Sequence, residues 1–97
     1  MPAYVIFDIH VDDPDAYAPY REPAGAAVAA HGGRYLARGG AHEVLEGDWD
    51  VDRLVVLEFP SMEQARAWYE SAEYQKVLPI RQGASRGRAV IVEGYTP

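Results

Sequence analysis

The sequence contains no cysteine and no asparagine, and threonine occurs once among its 97 residues. Without cysteine there can be no disulfide bond, thiolate metal ligand or thiol nucleophile, and without asparagine no mechanism can depend on its side-chain amide. Basic residues are also few, because nine Lys and Arg stand against 15 Asp and Glu and give a net charge of -6. Since nucleic-acid binding requires cations that neutralise phosphates, we expect no nucleic-acid partner.

Long hydrophobic runs are missing as well. The longest runs are about one strand long, so we expect no segment that crosses a membrane. The N-terminal stretch MPAYVIFDIH has no basic region and no small-residue cleavage site, which predicts no signal peptide and a cytoplasmic location. With 48% hydrophobic and 25% charged residues, the composition is typical of one globular domain over residues 1–97.

The first third of the chain reads as a strand followed by a helix. Residues 3–11 alternate and are rich in β-branched and aromatic side chains, which predicts a strand. Asp13 precedes a proline, the pattern of a helix cap, and a helix is expected over residues 15–31. Pro19 and Pro23 each remove a backbone donor, so this helix is expected to be kinked or split.

The middle of the chain predicts a hairpin. Residues 34–38 read as the second strand, Gly39-Gly40 suggest a bulge, and residues 41–46 are expected to continue the strand beyond it. A turn then leads into a third strand over residues 53–59.

The last third predicts a capped helix, a short helical turn and a final strand. Ser61 is the expected helix cap, and the helical turn is expected to end at Pro79, with Arg81 in the loop that follows. Residues 88–95 read as the fourth strand. The order βαββαβ predicts a ferredoxin-like α+β fold, with a four-stranded antiparallel sheet in the order 4-1-3-2 and the helices on one face.

Side-chain alternation along the strands assigns residues to the two faces of this sheet. The face expected to lie under the helices is apolar and carries Val5, Phe7, Ile9, Tyr35, Ala37, Val55, Leu57, Phe59, Val90 and Val92. The opposite face mixes apolar and ionisable groups and carries Tyr4, Ile6, Asp8, His10, Arg34, Leu36, Arg38, Leu54, Val56, Glu58, Ala89, Ile91, Glu93 and Tyr95.

The mixed face suggests a partner. A water-exposed face would have little reason to carry so many apolar side chains, and a buried core would not tolerate unpaired charges. We therefore predict a homodimer packed sheet to sheet, with a cavity for a small anionic or aromatic ligand in each subunit.

Arg38 and Glu58 are the first candidates for catalysis. The expected hairpin places them side by side, with Tyr4 in the same row. Arg38 could hold a carboxylate or enolate oxygen while Glu58 moves a proton. The alternative is a cross-strand ion pair with a structural role.

Asp8 and His10 form a second candidate group, because they lie two residues apart on one strand face. They could act as an oriented base, share a metal with a further donor such as His42, or simply form a solvated strand end. No metal and no cofactor are expected. The side chains predicted to contact a ligand are Tyr4, Trp49, Tyr69 and Arg81.

Several blocks of the sequence resemble one family. GGRYLARGG, VLEGDW, LVVLEFPSMEQARAWYESAEYQ and AVIVEGY are similar, in order and over nearly the whole chain, to short bacterial proteins of domain-of-unknown-function family 1330 (DUF1330). The resemblance implies the dimeric α+β barrel superfamily, which includes cofactor-free monooxygenases, muconolactone isomerase and haem-binding chlorite dismutases. It implies the fold and the dimer but no settled activity.

Two hypotheses for function follow. One is a small-molecule enzyme that uses proton transfer or cofactor-free oxidation or isomerisation in a cavity of the homodimer. The other is a non-catalytic ligand-binding or scaffold dimer, which would bind without turnover.

Overall fold

A computed structural model describes all 97 residues. Its elements are β1 (Ala3–Val11), α1 (Pro14–Ala30), β2 (Arg34–Arg38), β3 (Arg53–Phe59), α2 (Met62–Glu70), α3 (Ala72–Ala84) and β4 (Ser85–Glu93). The strands form one antiparallel sheet in the order β2-β3-β1-β4. The helices pack on one face of this sheet, which we call the covered face, and the other is the open face. The predicted ferredoxin-like α+β fold and strand order are confirmed.

The two central strands have the predicted alternation. Every second residue of β1 and β3 is buried under the helices: Val5, Phe7, Ile9, Val55, Leu57 and Phe59. Trp68 of α2 lies at the centre of this core, with its ring edge-on to Phe7 and 5.3 Å from the ring centroid of Phe59. The covered face therefore forms the main hydrophobic core.

Helix α1 is continuous, so the predicted kink or break is wrong. Its cap is as expected, since the Asp13 carboxylate accepts a hydrogen bond from the backbone N–H of Ala16 at 3.1 Å. Pro19 and Pro23 lie on the exposed side of the helix. The carbonyl groups that lose a partner there can bond to water, so the helix tolerates both prolines.

Helix α3 is longer than predicted, because it passes through Pro79 and ends at Ala84. Pro79 is exposed, like the prolines of α1. Ser71 caps this helix by accepting a hydrogen bond from the backbone N–H of Tyr74. Arg81 consequently lies within the helix, and it is the only charged residue in the buried core, at 7% exposure.

Strand β2 is shorter than predicted and its irregularity lies elsewhere. It ends at Arg38, and residues 39–52 form an exposed loop without a strand. The register against β3 shifts between Tyr35 and Ala37, so the bulge falls at Leu36 and not at the glycines. One extra residue reverses which face the following side chains take.

Strand β4 has the opposite alternation to the one predicted. Val90 and Val92 pair with Ile6 and Tyr4, so they lie on the open face, and Ile91 faces the helices. The alternation is ambiguous because both sets of alternate positions in this strand contain apolar residues.

Candidate functional site

The most distinctive group on the open face is the carboxylate of Asp8. Its side chain is only 13% exposed, although it lies on the face without helices. The residues around it belong to four segments: β1 itself, the neighbouring strands β3 and β4, and the loop 39–52. Together they form an open pocket of about 250 Å³ lined by Ile6, Asp8, Trp49, Leu54, Arg88, Ala89 and Val90.

The two oxygens of Asp8 have different surroundings. Oδ2 accepts a hydrogen bond from the indole Nε1 of Trp49 at 3.1 Å and one from the guanidinium of Arg88 at 3.4 Å. Oδ1 is buried and has no hydrogen-bond partner. An unpaired buried acceptor is costly. This oxygen therefore has an unmet capacity to accept a hydrogen bond.

His10 lies beside this pocket, as predicted. An adjacent open cleft is lined by Asp8, His10, Asp48, Trp49, Asp50, Arg86, Gly87 and Arg88, and Arg86 stands opposite His10 in the sheet. The arrangement brings together three carboxylates, an imidazole, two guanidinium groups and an indole ring. Such a set can hold an anionic group and move a proton close to it.

Arg38 and Glu58 are not neighbours, so the predicted pair is wrong. Glu58 pairs with Arg34, whose Nε donates to its Oε1 at 2.7 Å, and Arg38 stands opposite Val55. The register differs from the predicted one because β2 ends at Arg38 and residues 39–52 form a loop, so that Arg34 reaches Glu58. The bulge in β2 then turns the Arg38 side chain to the covered face. Arg34 as the partner of Glu58 was missed, and no feature of the sequence locates that bulge.

The four predicted ligand contacts fall in different places. Trp49 covers the Asp8 pocket, and Tyr4 lies on the open face directly opposite Glu58, as predicted. Tyr69 and Arg81 lie on the helical side, where they line a surface groove that also includes Arg86 and Arg88. These two residues therefore do not share the Asp8 pocket.

The covered face contains a buried pair of tyrosines. The hydroxyl groups of Tyr20 and Tyr74 are 2.6 Å apart. Burial, reinforced by Tyr74, raises the pKa of Tyr20 far above its ordinary value of 10.0. Burial also raises the pKa of Tyr74, although Arg81 acts in the opposite direction. Both hydroxyls therefore stay protonated at neutral pH.

No three metal-ligating side chains come together in the structure. His42 lies in the loop, where its ring nitrogens contact the backbone carbonyl groups of Val51 and Gly40. None of the helices has both the length and the apolar character needed to span a membrane.

Comparisons with solved structures support the fold. The chain resembles RPA0582, a protein of unknown function from Rhodopseudomonas palustris, with a TM-score of 0.79 and 22% identity over 99% of this chain and 84% of that one. SnoaB, a cofactor-independent oxygenase from Streptomyces nogalater, has a TM-score of 0.58 and 12% identity over 99% and 93%. A dimeric protein of unknown function and ferredoxin-like fold from Bacteroides fragilis has a TM-score of 0.55 and 15% identity over 96% and 94%.

These identities are low enough that the likeness shows the fold alone. No curated protein sequence matches the chain. The family model described as "Domain of unknown function (DUF1330)" matches residues 2–95, almost the full length. The resemblance of the sequence blocks is thus confirmed, and the chain belongs to the DUF1330 family.

Proposed function

We propose that this protein is a small-molecule enzyme in which Asp8 removes a proton from a small anionic or aromatic metabolite. The observation that carries the proposal is the buried Oδ1 of Asp8, an acceptor without a partner at the wall of an open pocket. Because this atom is buried, the Asp8 side chain has to turn before Oδ1 meets a ligand, and the hydrogen bonds from Trp49 and Arg88 to Oδ2 hold the carboxylate at the pocket wall.

Two arginines on the same face supply the positive charge that the proposed reaction needs. Arg86 and Arg88 are both more than 70% exposed, so a ligand can reach their guanidinium groups. In the proposed step, the C–H bond beside a carbonyl breaks, Asp8 Oδ1 takes the proton, and the electron pair moves to the carbonyl oxygen. Arg88 stabilises the resulting enolate, and return of the proton to another carbon would complete an isomerisation.

Deuterium incorporation tests this step without knowledge of the natural substrate. A panel of small aromatic and aliphatic keto acids is incubated with the protein in heavy water, and exchange at the acidic carbon is followed by NMR. We expect the wild type to accelerate exchange for at least one compound and Asp8→Asn to lose about 100-fold or more of that rate. Glu58→Gln is the matched control, because it makes the same change in another open-face carboxylate.

If Glu58→Gln loses exchange and Asp8→Asn keeps it, the base is Glu58. SnoaB, with the same fold, is described as a cofactor-independent oxygenase. Oxygen consumption with the same panel therefore tests cofactor-free oxidation, the other reaction that this class of site could support.

We also propose that the active form is a homodimer closed through the open face. Ile6, Val90 and Val92 are between 37% and 56% exposed there, and the loop adds Trp49. An apolar patch of this kind is typical of a protein interface. Val90→Lys should give a monomer in native mass spectrometry, whereas Ala26→Lys, on the exposed side of α1, should leave the dimer intact.

The second candidate function is a ligand-binding or scaffold dimer without turnover. The same exposed apolar residues favour it, since they account for a dimer without requiring any chemistry. Saturable ligand binding in the absence of exchange or oxygen consumption would support this function and contradict the enzyme.

A further inference from the structure

A second cluster of charge lies on the opposite side of the sheet. A pocket between α1 and the strands β2 and β3 has arginines from all three elements in its wall: Arg21, Arg38 and Arg53. We call these residues the arginine cluster. It is separated by the sheet from Asp8, and nothing in the proposed reaction uses it.

The three guanidinium groups are held close to two tyrosine rings of the same pocket. The guanidinium carbons of Arg21 and Arg53 lie 5.6 Å and 6.0 Å from the ring centroid of Tyr17. That of Arg38 lies 4.2 Å from the ring centroid of Tyr35, and its Nη2 donates to the backbone carbonyl of Arg21 at 3.0 Å. All three guanidinium groups therefore lie close to the aromatic rings that line this pocket.

The charge of this cluster is not balanced by the protein. No carboxylate lines the pocket, and the cluster takes part in no salt bridge. In contrast, Arg34, Arg86 and Arg88 each have a carboxylate within 3.4 Å. Three unbalanced cations in a chain of net charge -6 repel one another at a cost that an anion would remove. Stacking on tyrosine is favourable but leaves the positive charge in place.

Two further features indicate a site that is built and not accidental. The Nε of Arg53 is buried and has no hydrogen-bond partner, so one donor remains available. Gly39 has a φ of 69°, and a side chain there would collide with the Arg53 guanidinium. Glycine at position 39 thus allows both the turn and the approach of Arg53 to the pocket.

We propose that the arginine cluster binds a phosphate group, either as inorganic phosphate or as the terminal group of a phosphomonoester. Guanidinium groups match phosphate oxygens in paired hydrogen bonds, and three of them suit its double negative charge. The interior of the pocket has a volume of only about 20 Å³, the space of a single water. The phosphate therefore binds at the mouth, and the rest of an ester would lie outside, against the ring of Tyr35.

Thermal unfolding of the intact wild-type protein in increasing phosphate, against chloride at equal ionic strength, measures the binding. We expect a saturable rise in Tm of roughly 5 °C at phosphate concentrations well above Kd. Arg21→Gln and Arg38→Gln should each weaken the apparent affinity by roughly tenfold. Both residues are exposed, so these variants test the site even if Arg53→Gln fails to fold.

Arg66→Gln is the matched control. It removes the same charge from an exposed arginine of α2 that does not line the pocket, and it should retain the phosphate response. An equal rise in Tm with phosphate in Arg21→Gln, Arg38→Gln and Arg66→Gln would overturn the proposal. An equal Tm in phosphate and in chloride would overturn it as well. Phenyl phosphate separates the two sources: tighter binding than inorganic phosphate supports an ester, and equal or weaker binding supports the free ion.

Discussion

The two faces of the sheet differ in which buried polar atoms they leave without a hydrogen bond. On the covered face these atoms are donors: Arg53 Nε, Trp68 Nε1 and Arg81 Nε. On the open face there is one, and it is an acceptor, Asp8 Oδ1.

Aromatic rings make the unpaired donors of the covered face less destabilising than the unpaired oxygen of the open face. The Arg81 guanidinium carbon lies 5.3 Å from the ring centroid of Phe7, and four other aromatic rings surround Trp68. The negative faces of aromatic rings attract cations and N–H groups, so the covered face partly compensates its donors. They offer nothing to a carboxylate oxygen. Apart from the arginine cluster, the covered face therefore forms a stabilising core, and the open face contains the unpaired acceptor for which we propose a ligand.

The two tryptophans give the strongest test of this contrast. Trp68 is 1% exposed on the covered face, and Trp49 is 46% exposed above the open face. Trp68→Ala should lower the free energy of unfolding by about 3–5 kcal/mol in urea denaturation. Trp49→Ala should cost less than about 1 kcal/mol but disturb ligand binding at Asp8. Equal losses of stability would contradict the division of roles between the faces.

Gly87 offers a smaller test at the point where β4 touches Asp8. A side chain there would lie 2.5 Å from the backbone carbonyl oxygen of Asp8, and this atom cannot rotate away. Gly87→Ala should lower the free energy of unfolding by about 1–3 kcal/mol and slow any reaction at Asp8. Gly83→Ala, at a position in α3 with open space around it, is the control and should be neutral or raise stability by up to about 1 kcal/mol.

Alkaline pH should weaken the covered face gradually. Below pH 10, Tyr20 and Tyr74 are protonated in both the folded and the unfolded protein. Above pH 10 they lose their protons in the unfolded chain but keep them in the folded protein, because burial raises their pKa. Stability is therefore expected to fall as pH rises above 10. In urea titrations, Tyr20→Phe should reduce this slope by up to about 1.4 kcal/mol per pH unit.

The exposed Tyr95→Phe is the matched control for that substitution. A slope in Tyr20→Phe as steep as that of the wild type would show that the buried pair does not govern the alkaline loss of stability.

The sequence was sufficient for the parts of the fold in which one set of alternate positions is consistently apolar. In β1 and β3 the inward positions are hydrophobic except for Arg53 at the start of β3, so the faces and the place of Asp8 and His10 were predicted correctly. The cap at Asp13 was equally clear, because short polar side chains bond to the first turn of a helix through local geometry alone.

The predictions from the sequence were wrong where the local sequence allows two conformations equally well and tertiary contacts select one of them. In β4 both sets of positions contain apolar residues, and only pairing with β1 selects the outward placement of Val90 and Val92. Prolines end helices in general, yet Pro19, Pro23 and Pro79 are tolerated because they all face water. The partner of Glu58 depends on the register that the loop 39–52 allows, and the face of Arg38 depends on a bulge that has no glycine to mark it.

The bulge at Leu36 decides which side of the sheet receives the charge of Arg38. In a regular strand Arg34 and Arg38, which are four residues apart, would share the open face. Because Leu36 is the extra residue, Arg38 instead lies opposite Val55 and joins the arginine cluster. Deletion of Leu36 would remove the bulge but leave the pairs Tyr35–Leu57 and Ala37–Val56 in place, so Arg38 would keep its side. One additional residue in a short edge strand thus lets two arginines of the same segment serve opposite sides of the protein.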